Sequence, residues 1–276
     1  MQKETLIEQA RKLINDFTGI KKVSKADLAK KLNISDAVLT FIKQGQAEKL
    51  SVEMLNSIIA QLQPGSGFNL VGTSNYNSIQ NICLKTQNSR QLNVVIGYTG
   101  AGKSVALNDY YRSKERVYYM VCKNSMNRRQ FLCAILAEMG VNFMGNVYDM
   151  VNKIVDLLNE QPNTLLIIDE AGKVSTNVIL DLHDIRNATM YSAGILLAGC
   201  EYFQTNIEKA VTKEKIGYPE FHSRVTNWNV LNRPTKAEVT AICQANGLTD
   251  EATIKELHRI PNYRLLYNAI TNETDN

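Results

Sequence analysis

The sequence predicts an α/β protein in which a parallel sheet with a small helical lid follows an all-α domain. Three observations carry this. Beyond residue 67, apolar runs of strand length alternate with amphipathic stretches, which places parallel strands in one sheet covered by helices on both faces. Gln63-Pro64-Gly65-Ser66-Gly67 interrupts every periodic pattern and marks a domain boundary. After Pro234 the strand-like runs stop and only helical spacing remains.

Before the boundary, apolar residues recur at helical spacing: Leu6, Ala10, Leu13, Ile14 and Phe17, then Leu28 and Leu32, then Val38, Leu39 and Ile42, then Leu50, Met54, Ile58 and Leu62. Four short helices are expected in 1–62. The segment 24–39 reads as a helix-turn-helix: Ser24 and Ser35 are caps, Asp27 takes the capping-box position, and Asn33 suits a left-handed turn. Leu28, Leu32, Ile34, Val38 and Ile42 would supply its core. The outer face of the second helix offers Asp36, Ala37, Thr40, Lys43 and Gln44, so Thr40 and Lys43 are the candidate DNA contacts. A face without Arg or Asn is thin equipment for reading bases. Sequence-independent contact is expected, with a protein-docking bundle as the alternative.

A linker over 63–74 and a core over 75–233 follow. Strands are expected at Leu92 to Ile96, Val117 to Cys122, Leu165 to Ile168, Ile195 to Ala198 and Trp228 to Leu231. The lid, 234–276, would hold helices near 235–246, 249–259 and 262–271.

Composition narrows the class. The 276 residues carry 31 Lys+Arg against 27 Asp+Glu, a net charge of +4 that excludes an acidic disordered tail or a polycation and hints at an anionic partner. No apolar run approaches membrane-helix length, and the charged N-terminus has no apolar stretch behind it, so a soluble cytoplasmic protein is expected, with no membrane partner. The 5 cysteines are widely spaced without a C-x-x-C pair, and the 3 histidines show no ligand spacing, which argues against disulfides and structural zinc.

Gly97-Tyr98-Thr99-Gly100-Ala101-Gly102-Lys103-Ser104 fits G-x-x-x-x-G-K-[ST] between a strand and a helix. Glycines let backbone N–H groups turn inward around phosphates, the helix N-terminus adds a favourable dipole, and Lys103 reaches the β and γ oxygens. The expected nucleotide contacts are Gly97, Thr99, Gly100, Ala101, Gly102, Lys103, Ser104 and Val105, with Ser104 also on Mg²⁺. Leu165 to Ile168 ends in Asp169 and Glu170. Asp169 is expected in the Mg²⁺ shell, and Glu170 as the base that activates water against the γ-phosphate of ATP.

These motifs, with Gly194-Ile195-Leu196-Leu197-Ala198-Gly199, Phe221-His222-Ser223-Arg224 and Pro261-Asn262-Tyr263-Arg264-Leu265, resemble the AAA+ ATPases of DNA transposition, the phage Mu B type. Insertion-sequence helper ATPases and Tn7-type regulators are more distant relatives. The resemblance covers most of the chain. It implies that Arg224 is an arginine finger completing a neighbour's site, and that Arg264 is the lid arginine that senses nucleotide. Two positions depart from the pattern. Cys200 stands where a polar sensor is usual, which would slow hydrolysis, and Gly172 replaces the usual acid. The resemblance also implies DNA contacts near the second strand, where Lys123, Arg128 and Arg129 cluster. The expected function is an ATPase, slow and DNA-stimulated, that forms a filament or ring on double-stranded DNA, selects target DNA without strong sequence preference and activates a transposase. An ATP-gated transcription regulator and a helicase loader share these motifs.

Overall fold

A computed structural model describes residues 2–21, 24–62 and 68–274. The chain divides into two compact units, Met1–Phe68 with Tyr111–Glu115, and Asn69–Tyr110 with Arg116–Asn276. The sequence boundary at 63–67 lies outside the described residues.

The first unit contains α1 (Gln2–Lys21), α2 (Lys25–Lys31), α3 (Asp36–Gln44), a 3-10 turn and α4 (Val52–Leu62). The expected caps form. Ser24 Oγ accepts from the Asp27 N–H at 3.2 Å and donates to its carboxylate at 2.6 Å. Ser35 caps α3, and Asn33 takes the left-handed turn with φ 53°. One inward assignment shifts by a residue: Leu39 is fully buried beside Leu28, Leu32 and Ile42, whereas Ile34 and Val38 are half-buried.

The second unit is built from α5 (Ser74–Ser89), β1 (Leu92–Ile96), α6 (Lys103–Ser113), β2 (Val117–Val121), α7 (Arg128–Glu138), α8 (Val147–Asn159), β3 (Thr164–Asp169), α9 (Thr176–Ala188), β4 (Ala193–Gly199), α10 (Glu201–Thr212), α11 (Tyr218–Arg224), β5 (Val225–Val230), α12 (Lys236–Ala245), α13 (Glu251–Leu257) and α14 (Tyr263–Thr274). The five strands form one parallel sheet in the order β2-β3-β4-β1-β5. Strands β1, β3 and β4 are buried along their whole length, as continuous aliphatic runs require. Edge strand β5 starts three residues before its expected position. Its partly exposed Val-Thr-Asn-Trp-Asn-Val run weakens the apolar signal there. The sheet brings the carboxyl ends of β1, β3 and β4 to one rim, where the glycine loop, Glu170 and Cys200 follow them.

Helix α5 packs against β4 so closely that a Cβ on Gly194 would fall 2.2 Å from the Thr86 carbonyl oxygen. That neighbour is backbone in a helix, which cannot yield without leaving the sheet. Gly194→Ala should therefore lower stability by about 3 kcal/mol, at the upper end of typical overpacking costs. The shift in urea midpoint at unchanged m-value measures it.

Candidate functional site

The glycine loop leaves β1 and ends in the first turn of α6. Gly100 and Gly102 both have φ of +82°, a conformation that non-glycine residues adopt only with strain. A Cβ on Gly100 would also lie 2.7 Å from Asn262 Oδ1, so the lid closes directly on this glycine. The Tyr263 N–H donates to the Gly100 carbonyl at 3.0 Å. Arg264, whose Cβ comes within 3.1 Å of that position, thus stands beside the loop with its side chain exposed.

Lys103 is buried, and its ammonium donates to the carbonyls of Gly97 at 2.6 Å and Tyr98 at 3.1 Å. A buried cation satisfied by loop carbonyls is poised to exchange them for a stronger anionic partner. Cys200, at the end of β4, places its sulfur 4.0 Å from Lys103 Nζ and 3.8 Å from Thr99 Oγ1. The thiol therefore faces the loop where a polar sensor was expected.

Asp169 ends β3 fully buried and accepts from the Tyr119 hydroxyl at 2.9 Å and from the Glu170 N–H at 2.8 Å. Tyr119 comes from the neighbouring strand β2, and its hydroxyl also interacts with Ser104. Burial, and then the negative charge of Asp169, push the Tyr119 phenol well above its usual range. One neutral phenol thus joins the two expected metal ligands, and sequence reasoning missed it. Ser104 and Asp169 are hard oxygen donors of the kind Mg²⁺ takes together with phosphates.

Glu170 has φ 57° and is followed by a 3-10 turn, Ala171–Lys173. Its carboxylate lies 3.3 Å from the Lys173 ammonium. Gly172 now has a reason: the half-exposed ring of Tyr202 lies over it, and a Cβ there would meet the ring at 2.5 Å. An acidic side chain at this place would have to displace the ring.

The remaining candidates divide. Val105 is exposed in the first turn of α6. Arg224 is exposed at the end of α11, and among the described residues it forms no ion pair. Arg186 lies close enough for the Arg224 charge to add to burial in lowering its pKa. Lys43, Lys123 and Arg129 are exposed. Two expected DNA contacts bond to other groups of the chain. Arg128 makes a two-pronged ion pair with buried Asp181, Nε to Oδ2 at 2.7 Å and a terminal nitrogen to Oδ1 at 2.5 Å. Thr40 gives its proton to the Asp36 carbonyl at 2.8 Å and accepts from Lys25 at 2.6 Å.

A parallel sheet whose strand β1 enters this loop, acids at the end of β3 on the far side of β4, and a helical lid on the loop make up an α/β P-loop fold of the AAA+ kind. Residues 86–207 match the AAA domain family. The chain is similar to the "ATP-dependent target DNA activator B" of Escherichia phage Mu, and equally to that of Escherichia phage D108, each at 24% identity over 168 residues, 60% of this chain. It spans about half the length of these relatives, 53%. Among solved structures, the Aeropyrum pernix ORC1 protein, determined in complex with DNA, shares the fold with a TM-score of 0.54 at 13% identity, covering 78% of this chain and 64% of that one. Among the described residues, no helix is long and apolar enough to cross a membrane.

Proposed function

We propose that this chain binds ATP with Mg²⁺, hydrolyses it slowly, and uses the nucleotide state to assemble on double-stranded DNA, select target DNA and activate a transposase. The observation that supports the nucleotide half is Lys103 buried inside the glycine loop, with Tyr119 linking Asp169 to Ser104 in the turn that follows it. The similarity to activator B carries the DNA half.

Bound here with the nucleotide, Mg²⁺ would supply a divalent charge that draws off negative charge developing on the phosphate oxygens. Ser104 and Asp169 would hold it, with Tyr119 keeping the two oxygens in register. Lys103 trades its loop carbonyls for phosphate oxygens. Glu170 accepts the proton of the attacking water, and Lys173 holds that carboxylate in place until then. Cys200 offers only a weak sulfur hydrogen bond to the γ position, which supports a slow turnover. Arg264 contacts the nucleotide from the lid of the same subunit, and Arg224 supplies its charge to a neighbouring subunit in a filament or ring.

Lys43, Lys123 and Arg129 are the proposed phosphate contacts, whereas Arg128 is read as a structural partner of Asp181. If each exposed cation neutralises one phosphate, affinity for duplex DNA should fall about fortyfold per subunit between 50 and 200 mM salt, the result of a slope near −0.9 per contact. Fluorescence anisotropy on several unrelated duplexes, with ATP present, measures this. A flat salt response would remove these three cations from the contact, and a preference of about 10³-fold for one duplex would instead favour the transcription-regulator reading.

A further inference from the structure

We propose that the first turn of α5 anchors the lid, and that Asn75 and Glu238 are positioning residues that set how long a nucleotide stays on the loop; this rests on the nucleotide-binding reading above. Asn75 is 4% exposed. Its Nδ2 donates to the Asn232 carbonyl at 2.8 Å and at 3.4 Å to the carbonyl of Ala101, inside the glycine loop. Its Oδ1 accepts from the Asn232 N–H at 3.1 Å. One buried amide therefore holds both the loop and the connection from β5 to the lid.

The preceding residue adds a second attachment. The Ser74 N–H donates to Glu238 Oε1 at 2.6 Å, while Glu238 Oε2 accepts from the Thr235 N–H at 2.7 Å in the capping box of α12. Burial works to raise the pKa of this carboxyl, but the hydrogen bonds from Thr235 and Ser74 outweigh it and hold the group below its usual range. A third attachment pairs Asn69 with the far end of α12. The Asn69 N–H donates to Asn246 Oδ1 at 2.7 Å, and Asn69 Nδ2 donates to the Ala245 carbonyl at 2.7 Å.

The lid is thus held at its hinge by α5 and at its tip by the bond from Tyr263 to Gly100. A helix pinned only at the tip opens whenever that single bond breaks, whereas one pinned at the hinge recloses over the loop. Loosening the hinge should therefore act on dissociation more than on association.

The test uses the full chain with Asn75→Ala and, because a buried change can prevent folding, Glu238→Gln as well. Two quantities are read: dissociation of a fluorescent ATP analogue, mant-ATP, by stopped flow, and amide hydrogen exchange of the peptide containing Tyr263 without nucleotide. Loss of the three Asn75 hydrogen bonds predicts roughly tenfold faster dissociation in Asn75→Ala, and loss of one exposed acceptor about threefold in Glu238→Gln, with association within about twofold and faster Tyr263 exchange in both variants. Asn75→Asp, which keeps the acceptor for Asn232 and loses both donations, should fall between. Wild-type dissociation and wild-type Tyr263 exchange in both variants would overturn the proposal. If the unaltered chain itself bound no mant-ATP, the nucleotide reading would fail and take the kinetic half with it. Tyr263 exchange would then still decide the anchoring half.

Discussion

Lys103→Ala should abolish nucleotide binding and every ATP-dependent assembly step while leaving the protein folded. The side chain is buried, and its two hydrogen bonds end on carbonyls of the loop it serves. Alanine leaves those carbonyls without their charged donor and leaves the incoming phosphates without their one buried cation on the loop. A hydrogen bond to a charged group contributes about 1.5–3 kcal/mol, and at least two are lost at the β and γ oxygens. Affinity should drop by at least about a hundredfold. A mant-ATP titration at fixed Mg²⁺ measures the loss, and circular dichroism confirms that the sheet is intact. Binding within threefold of the unaltered chain would remove Lys103 from the site. Thr99→Ala should do far less, because among the described residues its hydroxyl meets the weakly bonding Cys200 sulfur.

Strands β1, β3 and β4 were legible because a strand buried on both faces must be apolar throughout, and the turn glycines were legible because few other residues take φ of +82°. Helix α5 was not. Its buried stripe is Asn75, Ile79, Cys83 and Thr86, in which two polar side chains hide the helical period. The same holds for every polar contact made across the fold. Arg128 reads as a free cation until α9 brings up Asp181, and Gly172 reads as a missing acid until α10 lays Tyr202 across it. Tyr119 carried no signal either. It is one of two adjacent tyrosines in an ordinary β2 pattern, and only the parallel pairing of β2 with β3 places its hydroxyl on Asp169. Sequence motifs thus named the loop and strand-end residues proposed to meet the nucleotide, while the groups packed against them came from strands and helices far away in the chain.

The expected result for Arg224 follows from its surroundings. An arginine that is exposed and pairs with no described carboxylate is open to an anion from outside its own chain. If that anion is the γ-phosphate held by a neighbouring subunit, Arg224→Ala should bind mant-ATP within about twofold of normal, because Lys103 and Ser104 are untouched. Its hydrolysis should fall by about 10³-fold, the lower end of the range for such arginines. Glu170→Gln should likewise bind ATP and fail to turn it over, for the separate reason that an amide cannot take the proton from water. Mixing the two decides the matter. An assembly containing both variants has interfaces at which the intact Glu170 of the Arg224→Ala subunit meets the intact Arg224 of the Glu170→Gln subunit. Random mixing at equal amounts makes about a quarter of all interfaces of this kind, so turnover should recover to about a quarter of normal. Turnover that stays at the level of the separate variants, with co-assembly shown by crosslinking, would mean that Arg224 acts within its own subunit or only in packing.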